Sequence, residues 1–313
     1  MTPPSSGPLR IGYLGPHGTF TEAALLTQAD LVDQDLRPLP TIPSVLTAAE
    51  KGDIDLGFVA IENAIEGTVT VTQDTLALDS PLLIQREVVM DIRLDLFGPP
   101  GMALDEVTQV ASFPHATAQC RRFLAGTLPD AELVAVNSTA EAARLIGQER
   151  PAGMAAVAPP QAGELYGLEA IETDLGDHPD NQTRFVLLSP DGFPEPSGHD
   201  KTTVVLFQHA DQPGSLLAML QEFAARAINL TKLESRPNRR GLGDYHFVVD
   251  VEGHIADEKI ADCLRTLKAS IADVKFLGSY PAAGDDDGHR RAAVDARWDD
   301  AGRWLGELRD RMR

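Results

Sequence analysis

Cysteine is nearly absent. Cys120 and Cys263 are the only two in 313 residues, far apart and each inside a helical pattern. One disulfide is formally open to them, but two buried thiols in a reducing cytosol is the plainer expectation. HExxH and paired CxxC motifs are missing, so a zinc site has little support, and GxSxG, GxGxxG and GxxxxGK[ST] are missing too. No apolar run approaches membrane-spanning length, and the opening MTPPSSGPLR lacks the apolar segment of a secretory signal. These absences predict a cytoplasmic protein. Basic residues are also few: 27 Lys and Arg stand against 47 Asp and Glu, a net charge of −20. Without a basic patch, nucleic acid and anionic membrane surfaces are repelled at long range. A small anionic metabolite is not excluded, because arginines and helix N-termini set the local field of a cleft.

What is present is an alternation of short apolar runs and helical patterns. IGYL (11–14) leads into GPHGTFTEAALL, VTQVASF (107–113) into HATAQCRRFL, LVAV (133–136) into NSTAEAARLI, and GMAAVA (153–158) into PPQAGELYGL. LGFVAI (56–61) is followed by a polar loop instead. Such units predict an α/β fold on a parallel sheet, with ligands beyond the carboxyl ends of the strands. SPDGFPEPSGHDK, near 190–201, has linker composition. Beyond it the order is strand 202–208, helix 214–227, strands 230–235 and 244–253, helix 257–271 and strand 273–280. That is the βαββαβ order of a ferredoxin-like domain, with Gly241 and Gly243 in the hairpin turn. The predicted organisation is a catalytic domain over 8–190, a linker over 191–201, a small domain over 202–281 and a charged tail over 282–313. In the tail Trp298, Ala301, Leu305, Leu308 and Met312 recur at helical spacing, which predicts an amphipathic helix.

Two helix starts read as capping boxes, Thr19 with Glu22 and Ser138 with Glu141. Capped starts after a strand expose N–H groups and a partial positive charge, typically about 0.3–1 kcal/mol toward a nearby anion. Most such boxes merely end helices; two in one α/β domain is a stronger pattern. Between strands, IENAIEGTVTVTQDTL (61–76) crowds Glu62, Asn63, Glu66, Thr68 and Thr70 near the core, either a polar loop or ligand-binding groups with Gly67 making room. His17 and His115 lie in strand-end loops and are candidates for acids, though a single His there is usually structural or solvated. From the residues alone, the chain binds a small polar, anionic ligand in a cleft and carries a second domain of regulatory type.

Taken in order, YLGPHGTFTEAA, AIENAIEGTV, NSTAEAA, NQTRFVLL and KLESRPNRRGLGDYHFVVDVEGH resemble prephenate dehydratase over roughly residues 10–281. The last segment is similar to the phenylalanine-binding ACT domain of that family. The resemblance implies a two-lobed catalytic domain of periplasmic-binding-protein type with its site between the lobes. A first strand beginning by Ile11 suggests a chain without a preceding mutase domain. The implied reaction is decarboxylating dehydration of prephenate to phenylpyruvate in phenylalanine biosynthesis, with no cofactor and no metal. Within NQTRF the resemblance nominates Thr183 to assist the leaving hydroxyl; Thr183 and Phe185 share one strand face, with Arg184 on the other. It assigns substrate contacts to Asn63, Gln119, Ser138, Thr139, Arg184 and Phe185. Glu62 also matches, though a carboxylate beside a dianion must be protonated or turned away. In the small domain ESRP is intact as Glu234, Ser235, Arg236 and Pro237. The other effector motif, usually Gly-Ala-Leu-Val, is here Gly214, Ser215, Leu216 and Leu217. The implied partners are prephenate, L-phenylalanine as effector, and further copies of the chain joined through ACT domains in a dimer or tetramer.

Two other readings stand beside this one. An arogenate dehydratase would share the mechanism and differ in side-chain recognition. A two-lobed receptor fused to an amino-acid sensor would bind without turnover. A nucleic-acid-binding regulator fails on charge and on the lack of a basic helix-turn-helix.

Overall fold

The computed structural model describes residues 7–208, 212–238, 244–284, 298, 300–304 and 306–310. The chain opens with β1 (Arg10–Leu14), α1 (Phe20–Leu26), β2 (Asp35–Leu39), α2 (Ile42–Lys51) and β3 (Leu56–Asn63). A two-residue strand, β4 (Gly67–Thr68), turns back on β3. Then α3 (Thr70–Asp74) runs directly into a π turn over Thr75–Asp79 and on to β5 (Leu83–Asp91). The second group is β6 (Asp95–Gly98), β7 (Gln109–Ser112), α4 (Pro114–Gln119), α5 (Arg121–Thr127), β8 (Glu132–Ala135), α6 (Thr139–Glu149), β9 (Met154–Ala158), α7 (Pro160–Leu165) and β10 (Glu169–Glu172). A long strand, β11 (Gln182–Ser189), then rejoins the first sheet, whose order is β2-β1-β3-β11-β5; the second sheet runs β10-β6-β9-β7-β8. The chain thus leaves one α/β lobe, builds another and returns, as a two-lobed domain requires.

The sheets are mixed, which corrects the expectation of a parallel sheet. β1 is parallel to β2 and β3, and β7 to β8 and β9. β6 is antiparallel to both β9 and β10. The reason lies in connectivity: β6 arrives from the first sheet and wedges between two strands joined by their own helix, α7. Its four residues are all buried.

The third sheet, β13-β14-β12-β15, comprises β12 (Asp200–Gln208), α8 (Ser215–Ala225), β13 (Leu230–Pro237), β14 (Tyr245–Glu252), α9 (Glu258–Thr266) and β15 (Ala272–Pro281). This is the expected βαββαβ order, and α9 ends in a π turn over Leu267–Ile271. One face of the sheet packs with the helices: Val204, Leu206, Phe247, Val249 and Val251 meet Met219, Phe223, Ile260 and Cys263. The other face is buried and mixed: Val205 and Val248 lie on it beside Thr203, whose hydroxyl meets both Asp250 Oδ1 (2.7 Å) and the Tyr280 hydroxyl (2.6 Å). The hairpin glycines Gly241 and Gly243 lie outside the described residues, as do Leu305 and Met312 of the tail. Of the other tail positions named, Ala301 and Leu308 are exposed.

The molecule divides into two compact units whose boundaries cut across the sequence. One is Met1–Thr72 with Val88–Val186, and the other is Gln73–Glu87 with Leu187–Arg313. Residues 73–87 therefore group with the third sheet. Lys201 Nζ donates to both carboxylate oxygens of the buried Glu87 at 2.8 and 3.0 Å, and Lys275 Nζ donates to the Ser80 carbonyl at 2.8 Å. Gly278, at φ +140°, lies so close to β5 that an added Cβ would stand 2.6 Å from the Ile84 carbonyl oxygen. It sits beside a bulge, because Thr203 pairs with Gly278 while Val204 pairs with Phe276.

Candidate active site

β3 and β11 are neighbours in the first sheet, and their polar ends bring Asn63 to Thr183. The Asn63 amide nitrogen donates to Thr183 Oγ1 (2.8 Å), Asn181 Oδ1 (3.0 Å) and the Gln182 carbonyl (3.2 Å). Its carbonyl oxygen accepts from the backbone N–H groups of Ile65 and Glu66, both at 3.0 Å. Those two backbone bonds fix which way the amide points, since only the oxygen can receive them. Asn63 is therefore a donor to Thr183. The Thr183 hydroxyl oxygen accepts, and its own hydrogen is left to donate elsewhere. Among the described residues it makes no other side-chain hydrogen bond. Thr183 is 8% exposed, so a bond it donates forms largely out of water, where it is stronger.

The network continues into the second lobe. Asn181, 4% exposed, donates to Gln119 Oε1 at 3.1 Å, and Gln119 is the last residue of α4. Its nitrogen faces Glu66 Oε1 at 3.5 Å, and the other Glu66 oxygen is 3.2 Å from His115 Nδ1. Of the residues nominated from sequence, Asn63, Gln119 and Thr183 are brought together here. Asn181 belongs to the same network and was not singled out from the sequence; Glu66, from the polar loop, and His115, from a strand-end loop, join it as well. Asn181 was legible in principle, because it shares a strand face with Thr183 and Phe185 by the period of two.

The other nominees stand apart from that network. Arg184 lies on the opposite face of β11, with Nη1 3.4 Å from Glu62 Oε2. Glu62 is thus turned away from Thr183. The Phe185 ring is 1% exposed and stacks on Phe58 at 5.6 Å between centroids, so it is core beneath Thr183 with no surface to offer a ligand. Ser138 caps α6, accepting from the Glu141 N–H at 3.0 Å, and Thr139 is the first residue of that helix. Neither shares a hydrogen bond with Asn63 or Thr183.

The two expected capping boxes are half-formed. Thr19 Oγ1 accepts from the Glu22 N–H at 3.3 Å, but the Glu22 carboxylate collects Gly18 N–H (2.5 Å), the Tyr13 hydroxyl (2.5 Å) and His17 Nδ1 (2.6 Å). The chain's own carboxylate therefore takes up this turn. Burial works against the charge of Glu22, yet the bonds from Tyr13, Gly18 and His17 outweigh it and hold its carboxyl below the usual range. Burial, reinforced by Glu22, raises the Tyr13 phenol. Glu141 pairs with Arg144 at 2.7 Å instead of returning to Ser138. A reciprocal box that joins two side chains forms between Thr41 and Ser44, at the start of α2, an element that the apolar pattern did not reveal. Both cysteines are buried and unpaired. Burial pushes the Cys120 thiol, next to Gln119, up to about 12.

In the small domain a cleft of about 430 Å³ is lined by Gly214, Ser215, Leu216, Leu217, Ser235 and Phe247, among others. The four-residue ESRP motif is divided by strand alternation. Ser235 faces this cleft, whereas Glu234 and Arg236 lie on the other face of β13. Glu234 Oε2 accepts from Gln73 Nε2 at 2.9 Å, and the Arg236 guanidinium lies 3.3 and 3.4 Å from the Asp74 carboxylate oxygens.

Residues 11–192 match the family model described as prephenate dehydratase, and residues 203–269 the ACT domain. Prephenate dehydratase of Mycobacterium marinum is 41% identical over 310 residues, 96% of each chain. The structure of prephenate dehydratase from Arthrobacter aurescens in complex with L-Phe superposes with a TM-score of 0.83 at 37% identity, covering 96% of this chain and 99% of that one. A protein described as a novel type of quorum-quenching acylase superposes at 0.77 with 28% identity, covering 87% of this chain and 98% of that one. A dehydratase model over the two lobes, an ACT model over three of the four strands of the third sheet and a relative matched almost end to end agree, and this chain belongs to the prephenate dehydratase family.

Proposed function

We propose that Thr183 is the group that helps the ring hydroxyl of prephenate to leave. The reaction breaks two bonds and oxidises nothing. The ring carboxylate departs as carbon dioxide, its bonding pair enters the ring, and the hydroxyl leaves with one proton as water, giving phenylpyruvate. Two demands fall on the protein: to hold two carboxylates, and to supply a hydrogen bond or proton at the leaving oxygen. The observation that carries the reading is the Asn63 amide donating to Thr183 Oγ1 at 2.8 Å. A hydroxyl whose oxygen already accepts a bond is a better donor through its own hydrogen. Threonine is too weak an acid to store the proton, so Thr183 passes on one drawn from water.

In this reading Asn63, Asn181 and Gln119 form the polar wall around Thr183. Ser138 and Thr139 offer the first turn of α6 to a carboxylate. Arg184 balances Glu62 behind the strand, and Phe185 fixes the backbone of Thr183 by packing. The catalytic domain spans 8–190, and the ACT domain over 202–281 binds L-phenylalanine in the Gly214–Leu217 and Ser235 cleft and lowers turnover as feedback. The chain works in the cytoplasm as a dimer or larger assembly joined through ACT domains.

The test is phenylpyruvate formation by the purified protein, with and without L-phenylalanine and with arogenate as a parallel substrate. Following product, not substrate loss, separates dehydration from an acylase-like activity. Thr183→Ala lowers kcat about 10²–10⁴-fold, and Thr183→Ser retains a substantial part. Near-unchanged turnover by the alanine variant removes Thr183 from the mechanism. Turnover of arogenate alone changes the substrate and keeps the chemistry.

A further inference from the structure

Four neighbouring residues of β13 were expected to serve one ligand, and the strand cannot present them that way. Successive side chains of a strand point to opposite faces. Ser235 is opposite Phe247 and faces the α8 cleft, while Glu234 is opposite Val248 and Arg236 opposite His246. We infer that Glu234 and Arg236 are not effector ligands but positioning residues that couple the effector cleft, through Gln73 and Asp74, to β3, the strand that carries Asn63. The inference rests on the reading of that cleft as the L-phenylalanine site.

The far end of this coupling is unusual in three respects. Gln73 and Asp74 lie within the region that matches the dehydratase model, yet they group with the third sheet. Gln73 is 1% exposed, its nitrogen bonded to Glu234 and its Oε1 without a hydrogen-bond partner among the described residues. A buried amide half satisfied in this way costs free energy that a small shift can recover. Finally, α3 ends at Asp74 and continues as a π turn over Thr75–Asp79, a geometry associated with functional irregularity in helices. The segment held by Glu234 and Arg236 is therefore tightly packed and imperfectly satisfied.

The near end reaches the site through a few covalent steps. Immediately before Gln73, Thr72 Oγ1 donates to the Ala60 carbonyl at 2.7 Å, and the Val69 N–H donates to the Ile61 carbonyl at 2.9 Å. Both acceptors are on β3, whose last residue is Asn63. A change in β13 felt at Gln73 and Asp74 is thereby applied to the strand that aims the Asn63 amide at Thr183. Ser235 stands between Glu234 and Arg236 in the chain, so a ligand against Ser235 acts on the backbone that carries both.

The experiment measures two quantities on each full-length protein: L-phenylalanine affinity by calorimetry, and its inhibition constant as a fraction of that variant's own uninhibited rate. Arg236→Gln and Glu234→Gln are expected to keep affinity within about threefold and to raise the inhibition constant at least tenfold. Arg236→Lys, which retains charge, restores part of the coupling. Leu217→Arg, within the cleft, is expected to lose affinity and inhibition together. Loss of affinity in Arg236→Gln in step with inhibition would make it a ligand and overturn the inference, with the cleft reading intact; so would unchanged inhibition. Binding that survives Leu217→Arg moves the effector elsewhere and overturns both. Circular dichroism and the Arg236→Lys variant separate lost coupling from lost folding.

Discussion

The carboxylate of Glu22 gathers a backbone N–H, a phenol and an imidazole within 2.6 Å. Because its folded pKa is depressed, the stability it contributes is complete above the ordinary carboxylate value and is lost as pH falls through the lower, folded one. Glu22→Gln should therefore lower the urea midpoint at neutral pH by the equivalent of about 2 kcal/mol, and the gap from the parent should close as pH drops below 4. A gap independent of pH would mean that packing, not charge, is what Glu22 supplies. Thr183, Asn63 and Gln119 fall in one hydrogen-bonded network, and Asn181, which joins them, follows from the alternation already applied to Thr183 and Phe185. The same alternation, applied to Glu234–Pro237, divides that motif in two. Phe185 could not be separated from a ligand-facing aromatic without knowing that Phe58 lies beneath it.

At the scale of elements, the apolar runs at 11–14, 56–61, 133–136 and 153–158 each mark a strand of the two lobes, and all six elements of the third sheet lie where the pattern put them. β2 was missed because DLRPL is half exposed and carries a proline at an edge, and β10 because EAIE is mostly exposed. β6, DLFG, holds only Leu96 and Phe97 as large apolar residues between an acid and a glycine, so no apolar run marks it. The opposite direction of β6 depends on where the chain comes from, which no local pattern records. β15 offers a test of packing between elements. Gly278→Ala meets both a backbone conformation unfavourable for L residues and the Ile84 carbonyl. Gly52→Ala meets the first alone, having φ +75° and open space around it. Thermal melting should show a loss of about 1 kcal/mol for Gly52→Ala and at least about 3 kcal/mol for Gly278→Ala. Equal losses would mean that β5 yields to the added methyl.

Over the whole molecule, a net charge of −20 is a self-repulsion that folding must overcome. Raising ionic strength from about 10 to 150 mM shortens the screening length from roughly 30 to 8 Å, and the melting temperature should rise by several degrees over that range. A fall would show that local pairs such as Arg10 with Asp55, at 2.8 Å, outweigh the global term. Fold alone does not assign chemistry: the acylase shares this architecture at a TM-score of 0.77, so the family membership carries the assignment. The grouping of residues 73–87 with the third sheet has a consequence for how such genes recombine. A crossover placed in the Pro-rich linker would deliver a foreign ACT domain against the host's Gln73, Asp74 and Glu87, with its counterparts of Glu234, Arg236 and Lys201 left to match by chance. On the inference drawn above, the heritable module of control is split in the gene, and a chimera is expected to keep its regulation only when it brings in two separate stretches of coding sequence.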